Sequence, residues 1–517
     1  MRLRDRRLAV AAIALAAALL SAGNTRAADG AERAATPWPT AGWETSTPEA
    51  QGVSSAALAE LVDFGAASEM DSLLVVRHGR IVAEAYYAPF RAGQMHLVNS
   101  VTKAVVGTLV GIAVKEERIR RLDQPVVDLF FERAIANLGA DKKAITLETL
   151  LDSNSGLDWN EPLSDAAPET MLQMARSRDW VGFVLDRPMA QPPGRAFNYD
   201  SGTWHLLSAV LTKKTGMDTL AYAKQALFGP LGIGEARWRQ DPQGIRTGGF
   251  GLFLQPRDMA KIGYLYLHHG QWAGEQLLPP SWSEHVFHAT VDMNLGTSSA
   301  FRYANGWWTI PDKHVYMAVG FLRQMIIVLP EADIVAVVTG KGNYPFLSLI
   351  DRVVAAAQSA SPLPADAVGA ARLAERVREA AIEKATPVAA PSPLAGAISG
   401  RTWRFEPNLS GLRSLKLDLV PAEPRYEAAV DGFGGAPPRR IAGPIGLDGL
   451  FRSQEVGGSV FAVKGRWLSE SEFEITSRLL TEGVVMTYRL AFRGNEVDVS
   501  FASNQGFSAR VHGTASD

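Results

Sequence analysis

The chain of 517 residues contains no cysteine. That excludes disulfides, a thiol nucleophile and cysteine-bound zinc, and it leaves the compartment to be read elsewhere. Charge of one sign is also lacking: the formal net charge is −2, with 21% charged residues. No basic stripe stands out, so the charge pattern points to no nucleic-acid partner and to no acidic lipid surface. There is no Gly-x-Ser-x-Gly, which excludes the sharp nucleophile turn of α/β-hydrolases, and no glycine-rich phosphate loop or dinucleotide fingerprint. No internal repeat is visible. What remains is an ordinary globular composition, 47% hydrophobic, in a chain long enough for two or three domains.

The N-terminus carries the one conspicuous apolar run. "MRLRDRRLAVAAIALAAALLSAGNTRAADG" has a basic head, an apolar stretch from Leu8 to about Leu20, and small residues ending near Thr25-Arg26-Ala27. It reads as a secretory signal cleaved after Ala27, because its core is short for an uncleaved anchor. Arg6-Arg7 permits twin-arginine export, although the usual flanking residues are missing. The expected location is periplasmic or secreted, with no stable membrane span once residues 1–27 are gone.

Composition shifts divide the rest. Residues 28–360 form a dense mixed α and β region. Residues 361–396 combine an Ala/Glu/Arg-rich surface helix with the Pro-rich linker "TPVAAPSPLAG", which is not expected to be helical. Residues 397–517 alternate in short strands such as "SLKLDLV", "RYEAAV", "SVFAVKG", "EFEITS", "VVMTYRLAF" and "EVDVSF", as in an antiparallel barrel or sandwich. Within the first region "SLLVVRHGRIVAEAYY" predicts a hairpin turning at His78-Gly79, and "MIIVLPEADIVAVVTG" another turning at Pro330-Glu331. A sheet built from the two ends of one domain, with helices inserted between, makes the class α+β.

In "HLVNSVTKAVVGTLVGIAVKEERI", Ser100 precedes Lys103 by three residues at the start of an apolar run. On a helix the two share a face and can touch. Positive potential at the first turn and burial both push a lysine toward its neutral form, which can take a proton from a hydroxyl. The plain alternative is that Ser100 caps the helix and Lys103 reaches out to water. Two fixed positions do not decide between these.

The stretch "NSVTKAVVGTLVGIAVKEERIRRLDQPVVDLF" resembles the active-site helix of serine β-lactamase-fold hydrolases, in the branch of class C β-lactamases, family VIII esterases and 6-aminohexanoate-dimer hydrolases. The likeness continues in family order through "ITLETLLDSNSGLDWNEP", "PGRAFNYDSGTWHLLSAVLTKKTGMD", "LFGPLGI", "GGFGLFLQPRDMAKIGYLYLHHGQW" and "AVGFLRQMIIVLPEADIVAVV", from about Trp43 to Ala355. It implies a β-lactamase/penicillin-binding-protein-like domain, an antiparallel sheet flanked by helices plus a helical subdomain. It also implies Ser100 as nucleophile and Lys103 as its base, with no cofactor.

The family's second motif, Tyr-x-Asn or Tyr-x-Ser, has two candidates. Tyr199-Asp200-Ser201 leads into a helical pattern, whereas Tyr303-Ala304-Asn305 runs into strand-like "GWWTI". Context and order favour Tyr199 as the second proton-transfer group, with Ser201 bonding Lys103 or the substrate, or else capping its helix. Lys214-Thr215-Gly216 copies the third motif but ends that helix, where Gly216 serves as a C-cap. The stretch that matches the third motif is Gly320-Phe321-Leu322-Arg323-Gln324, where the resemblance implies a glycine at the Arg323 position. An amide of Leu322 or Arg323, with that of Ser100, would form an oxyanion hole. The missing cationic or hydroxyl group argues against efficient β-lactam hydrolysis and for a small ester or linear amide. Arg323 either binds a substrate carboxylate or pairs on the surface. Trp159, Trp204, Trp307 and Trp308 line a pocket or fill core. His268-His269 lacks further ligands at metal-binding spacing. Two rivals remain: a D-amino-acid peptidase or true β-lactamase, and a catalytically silent binding protein on the same fold.

Overall fold

The two hairpins marked at opposite ends of the first region lie side by side in one sheet. The protein is described here by a computed structural model in which residues 36–163, 167–295, 300–342, 344–408, 410–431 and 439–516 are described. The expected signal segment, residues 1–27, lies outside them. Trp38–Asp517 form one compact unit.

The first sheet has nine strands: β1 (Glu44–Thr45), β2 (Met70–Arg77), β3 (Arg80–Tyr86), β4 (Val291–Asp292), β5 (Arg302–Ala304), β6 (Trp307–Ile310), β7 (Val315–Gly320), β8 (Gln324–Leu329) and β9 (Ile334–Gly340). Their order is β1-β3-β2-β9-β8-β7-β6-β5-β4. The first hairpin turns at His78 and Gly79, both at positive φ, as a two-residue turn with the twist of its strands requires. The second turns through Pro330–Ala332, with Asp333 at φ 51°. They join where β9 pairs antiparallel with β2, from Ile334 opposite Arg77 to Gly340 opposite Met70. Every residue of β2, β8 and β9 is buried, because both faces of the sheet are covered, which explains why these strands read as continuous apolar runs.

Two helices form the interior beside the sheet. Helix α1 (Val101–Lys115) is buried all round from Val101 to Ala113 and packs against α2 (Ser201–Thr215), buried from Ser201 to Leu211. On the sheet lies α3 (Pro256–Leu267). A Cβ on its Gly263 would come within 2.7 Å of Ile326 and Val335 side chains, so glycine sets the closeness of this layer.

The predicted helix after residue 360 is α4 (Ala367–Ala380), which buries Leu373 against the first core and pairs Arg376 with Asp63. The linker that follows departs from expectation at its end. Leu394, Ala395 and Gly396 open a short helix, Leu394–Ile398, directly after Pro393; a proline preceding the first turn removes no intrahelical bond. The linker is pinned to the C-terminal domain by Thr386 N–H to Gly449 O and Ser392 Oγ to Glu470 O.

That domain is a near-closed antiparallel barrel of ten strands: β10 (Thr402–Phe405), β11 (Leu412–Asp418), β12 (Arg425–Val430), β13 (Arg439–Pro444), β14 (Arg452–Val456), β15 (Ser459–Trp467), β16 (Glu472–Leu479), β17 (Val484–Arg493), β18 (Glu496–Ser503) and β19 (Ser508–Ser516). The order is β13-β12-β11-β10-β19-β18-β17-β16-β15-β14. Gln454 on one edge strand donates to Ala442 O on the other, which helps to cover two otherwise open edges. Trp403, Leu417, Phe473, Leu490, Val497 and Val499 fill its own core.

Candidate active site

Ser100 stands just before α1 in a tight turn, with Asn99 at φ 48° and Ser100 itself at φ −71°, ψ −5°; its side chain makes no capping bond. Lys103 does not reach water: it is 1% exposed. The alternative of a capping serine and a solvent-seeking lysine therefore fails. Instead Lys103 Nζ lies 3.2 Å from Ser100 Oγ, 2.9 Å from Ser201 Oγ and 2.8 Å from Gly249 O. A Cβ on Gly249 would sit 2.7 Å from that of Ser201, so a larger residue could not bring this carbonyl so close.

Tyr199 lays its ring 4.5 Å from Lys103 Nζ. It comes from the loop before α2. Asp200 ends that loop and caps the helix, its Oδ1 accepting from the amides of Gly202 (2.7 Å) and Thr203 (3.0 Å). Tyr303, the competing tyrosine, is fully buried in β5 and packs on Phe197 at 5.1 Å. Gly216 ends α2 at φ 70°, donating to Thr212 O, so the Lys-Thr-Gly copy is a helix terminus as expected.

Burial controls the electrostatics here. It lowers Lys103 to about 8 despite the opposing pull of Glu161 and Asp200. It raises Asp200 to about 8, against the amides of Thr203 and Gly202. Tyr199 is pushed well above its ordinary value by burial, helped by Tyr303 and Glu161 and opposed by Ser100. At pH 7 about a tenth of Lys103 is thus an uncharged amine beside a serine hydroxyl, far more than for an exposed lysine.

Strand β7 ends against the Ser100 turn. A Cβ on Gly320 would lie 2.4 Å from Val98 O, and Asn99 Nδ2 donates to Phe321 O at 3.0 Å. Leu322 and Arg323 both adopt left-handed backbone, φ 60° and 62°, which is why a glycine was the residue to expect there. Such strain costs about 1 kcal/mol or more per residue. Gln324, fully buried, offsets it: its Nε2 donates to Leu322 O (3.2 Å) and Gly340 O (2.8 Å), and its Oε1 accepts from Gly340 N–H (3.1 Å). The Arg323 side chain is directed to Tyr344 O (3.1 Å) and the Phe346 ring (5.0 Å). The Ser100 amide donates to no acceptor among the described residues.

Of the four tryptophans, Trp204 and Trp307 are core, the first bonding Ser153 Oγ and the second packing on Tyr266. Trp308 is also buried. Trp159 reaches the site through a residue that sequence reasoning missed, Glu161. Glu161 Oε2 accepts from Trp159 Nε1 (2.8 Å) and from the Ser201 amide (2.8 Å), and its Oε1 accepts from Ser201 Oγ (2.6 Å). The acidic residue two places after Trp159 was visible, but no spacing rule ties it to a serine forty positions on. The Gly249 carbonyl had no side-chain signal at all.

Comparison with known proteins bears on the family and the fold. The Beta-lactamase family model matches residues 55–360, more than half of the chain. The 6-aminohexanoate-dimer hydrolase of Paenarthrobacter ureafaciens is 27% identical over 287 residues, 52% of this chain and 71% of that protein. Protein flp of Staphylococcus aureus (strain N315) is 22% identical over 278 residues, and the match spans 48% of this chain and about half, 54%, of flp. A solved structure from Bacillus anthracis, named for 6-aminohexanoate-dimer hydrolase by assignment, superposes with a TM-score of 0.53 at 21% identity, covering 62% of this chain and 89% of that one. The barrel lies outside the family match, and the chain that carries it belongs to the beta-lactamase family, as a β-lactamase-fold serine hydrolase related to 6-aminohexanoate-dimer hydrolase.

Proposed function

We propose that the protein is an exported hydrolase that cleaves a small ester or linear amide through an acyl-enzyme on Ser100. One observation carries the reading: a desolvated lysine amine within reach of a serine hydroxyl that caps nothing. Ser100 Oγ attacks the carbonyl carbon while its proton passes to Lys103 Nζ. The amides of Ser100 and of Leu322 or Arg323 hold the developing oxyanion. Tyr199 passes a proton to the leaving alcohol or amine as the bond breaks. Water, deprotonated by the same groups in reverse, then releases the acid.

The third-motif turn supports an open-chain substrate. It presents Phe321, Leu322 and an Arg323 engaged on Tyr344, and no lysine, histidine or hydroxyl at the place where a β-lactam carboxylate would be held. The relative that hydrolyses 6-aminohexanoate dimers favours a linear amide among the candidates. Export rests on residues 1–27 of the sequence.

Intact-mass labelling with a fluorophosphonate, beside Ser100→Ala, tests this without guessing the substrate. A single adduct that vanishes in the variant is expected; absence of any adduct on folded protein overturns the reading. Panels of linear amides, esters and penicillin then rank the substrates, with penicillin expected last.

A further inference from the structure

The hydrogens around Lys103 can be counted. Three donors converge on the two oxygens of Glu161: the Ser201 amide and Trp159 Nε1–H on Oε2, and the Ser201 hydroxyl on Oε1. Those contacts leave Glu161 only accepting. A serine hydroxyl has one hydrogen, and at 2.6 Å from Glu161 that hydrogen is committed. Toward Lys103, 2.9 Å away, Ser201 Oγ can therefore only accept. The Gly249 carbonyl, at 2.8 Å, also only accepts. A neutral amine has two hydrogens, and both are spent on these partners. Its third partner, Ser100 Oγ at 3.2 Å, must face the lone pair.

We infer that Glu161 is a positioning residue that fixes the direction of the Ser201–Lys103 hydrogen bond and so turns the amine lone pair onto the Ser100 hydroxyl. The inference rests on the reading of Ser100 as nucleophile and Lys103 as base. Glu161 is not required to cap α2, because Asp200 already takes the amides of Gly202 and Thr203. Reversing the one bond at Ser201 would reverse the whole chain. Ser201 would then donate to Lys103, occupying the lone pair, and an amine N–H would turn toward Ser100.

Glu161→Gln makes that reversal with little change of shape. Both partners at Oε2 are donors, so the introduced carbonyl oxygen must take that place, and the NH2 group faces Ser201 Oγ. The test follows the rate of fluorophosphonate attachment to the full chain against pH, with circular dichroism and melting temperature recorded for each variant. In the unaltered chain the rate climbs through about pH 8 to a plateau, as Lys103 loses its proton. Glu161→Gln is expected to lower the plateau by about tenfold, part of the 10²–10⁴ that a placed base supplies. The midpoint also moves to lower pH, because a negative neighbour that favours the charged amine has gone. That midpoint shift follows from the lost charge alone, so the plateau, read at unchanged melting temperature, is what separates positioning from a purely structural role.

Ser201→Ala removes the hydroxyl whose direction is at issue and is expected to lower the plateau by a similar factor. Adding Glu161→Gln to it should then cost no more than about twofold. An unchanged plateau in either single variant, or a second tenfold loss in the double variant, overturns the assignment of Glu161. An unlabelled Ser100 in the unaltered chain is a different result, which overturns the nucleophile reading on which this one rests.

Discussion

Two clusters of titratable groups are buried in this molecule, and they are shifted in opposite directions, one toward neutrality and the other toward charge. At the centre, Lys103 and Asp200 are each 1% exposed, and burial drives both toward neutrality, each to about 8. At the seam between the sheet and the barrel, Asp71 on β2 is wholly buried. Burial pushes it up as well, but Arg478, the bond from His96 and Lys341 outweigh that and hold it at about 2. The difference is contact. Arg478 Nη2, from β16, lies 2.6 Å from Asp71 Oδ1 and His96 Nε2 lies 3.3 Å from Oδ2. In the centre a hydroxyl, Ser201, stands between Lys103 and Glu161. Attraction falls with distance and desolvation does not, so an interposed neutral group is enough to let burial shift the amine toward its neutral form. The seam is a fastening; the centre is the site proposed for chemistry.

The largest effects should separate these two roles. Lys103→Met is expected to lower Ser100 labelling by about 10³-fold, with a melting temperature no lower than that of the unaltered chain, since an amine no longer has to be desolvated. A fall of more than about 5 °C, on the scale of 1 kcal/mol or more, would show that the centre is also a fastening. Breaking the seam by Asp71→Asn or Arg478→Met should do the reverse and cost about 3–5 kcal/mol in urea unfolding. A loss under about 1 kcal/mol, the size of an exposed pair, would remove the contrast.

Acid sharpens the comparison. Asp71 is lowered from 3.8 to about 2 on folding, so its contribution of about 2 kcal/mol is present above pH 4 and is lost as the pH falls through 2. In Arg478→Met that acid-sensitive part should shrink or vanish. The centre responds at the other end of the scale, where labelling rises through about pH 8. The smallest effect is assigned to Arg323→Ala. Because its guanidinium rests on Tyr344 O and Phe346, labelling should change by no more than about twofold, as for a side chain outside the reacting groups. A tenfold loss would return it to the substrate site.

The barrel touches the segment leading to Ser100 through the same seam. Thr481 O accepts from the Leu97 amide at 2.6 Å, three residues before Ser100, and Asn504 Nδ2 donates to Lys341 O at 2.7 Å. No pattern in residues 397–517 announces this, because each contact is a single backbone group or side chain meeting a segment far away in the chain, 163 positions for Asn504 and Lys341. Four barrel strands also escaped reading, among them "RRIAGP" and "RSQEV". These two are the barrel's edges, the first exposed at half of its residues and the second at nearly all, and their register is set by the neighbour rather than by an apolar alternation.

The sequence by itself determined the α+β class, both hairpins and the placing of Ser100 beside Lys103. Those features are local: turn residues, periodicity, and i,i+3 spacing on one helix. Only the tertiary structure decided that Lys103 is dry, that Glu161 and the Gly249 carbonyl complete its surroundings, and that Arg323 faces Phe346. It alone joined Asp71 to Arg478. A side chain's charge state and the direction of its hydrogen bonds depend on what solvent is excluded and which groups converge on it from distant segments, and neither quantity is written in the spacing of residues along the chain.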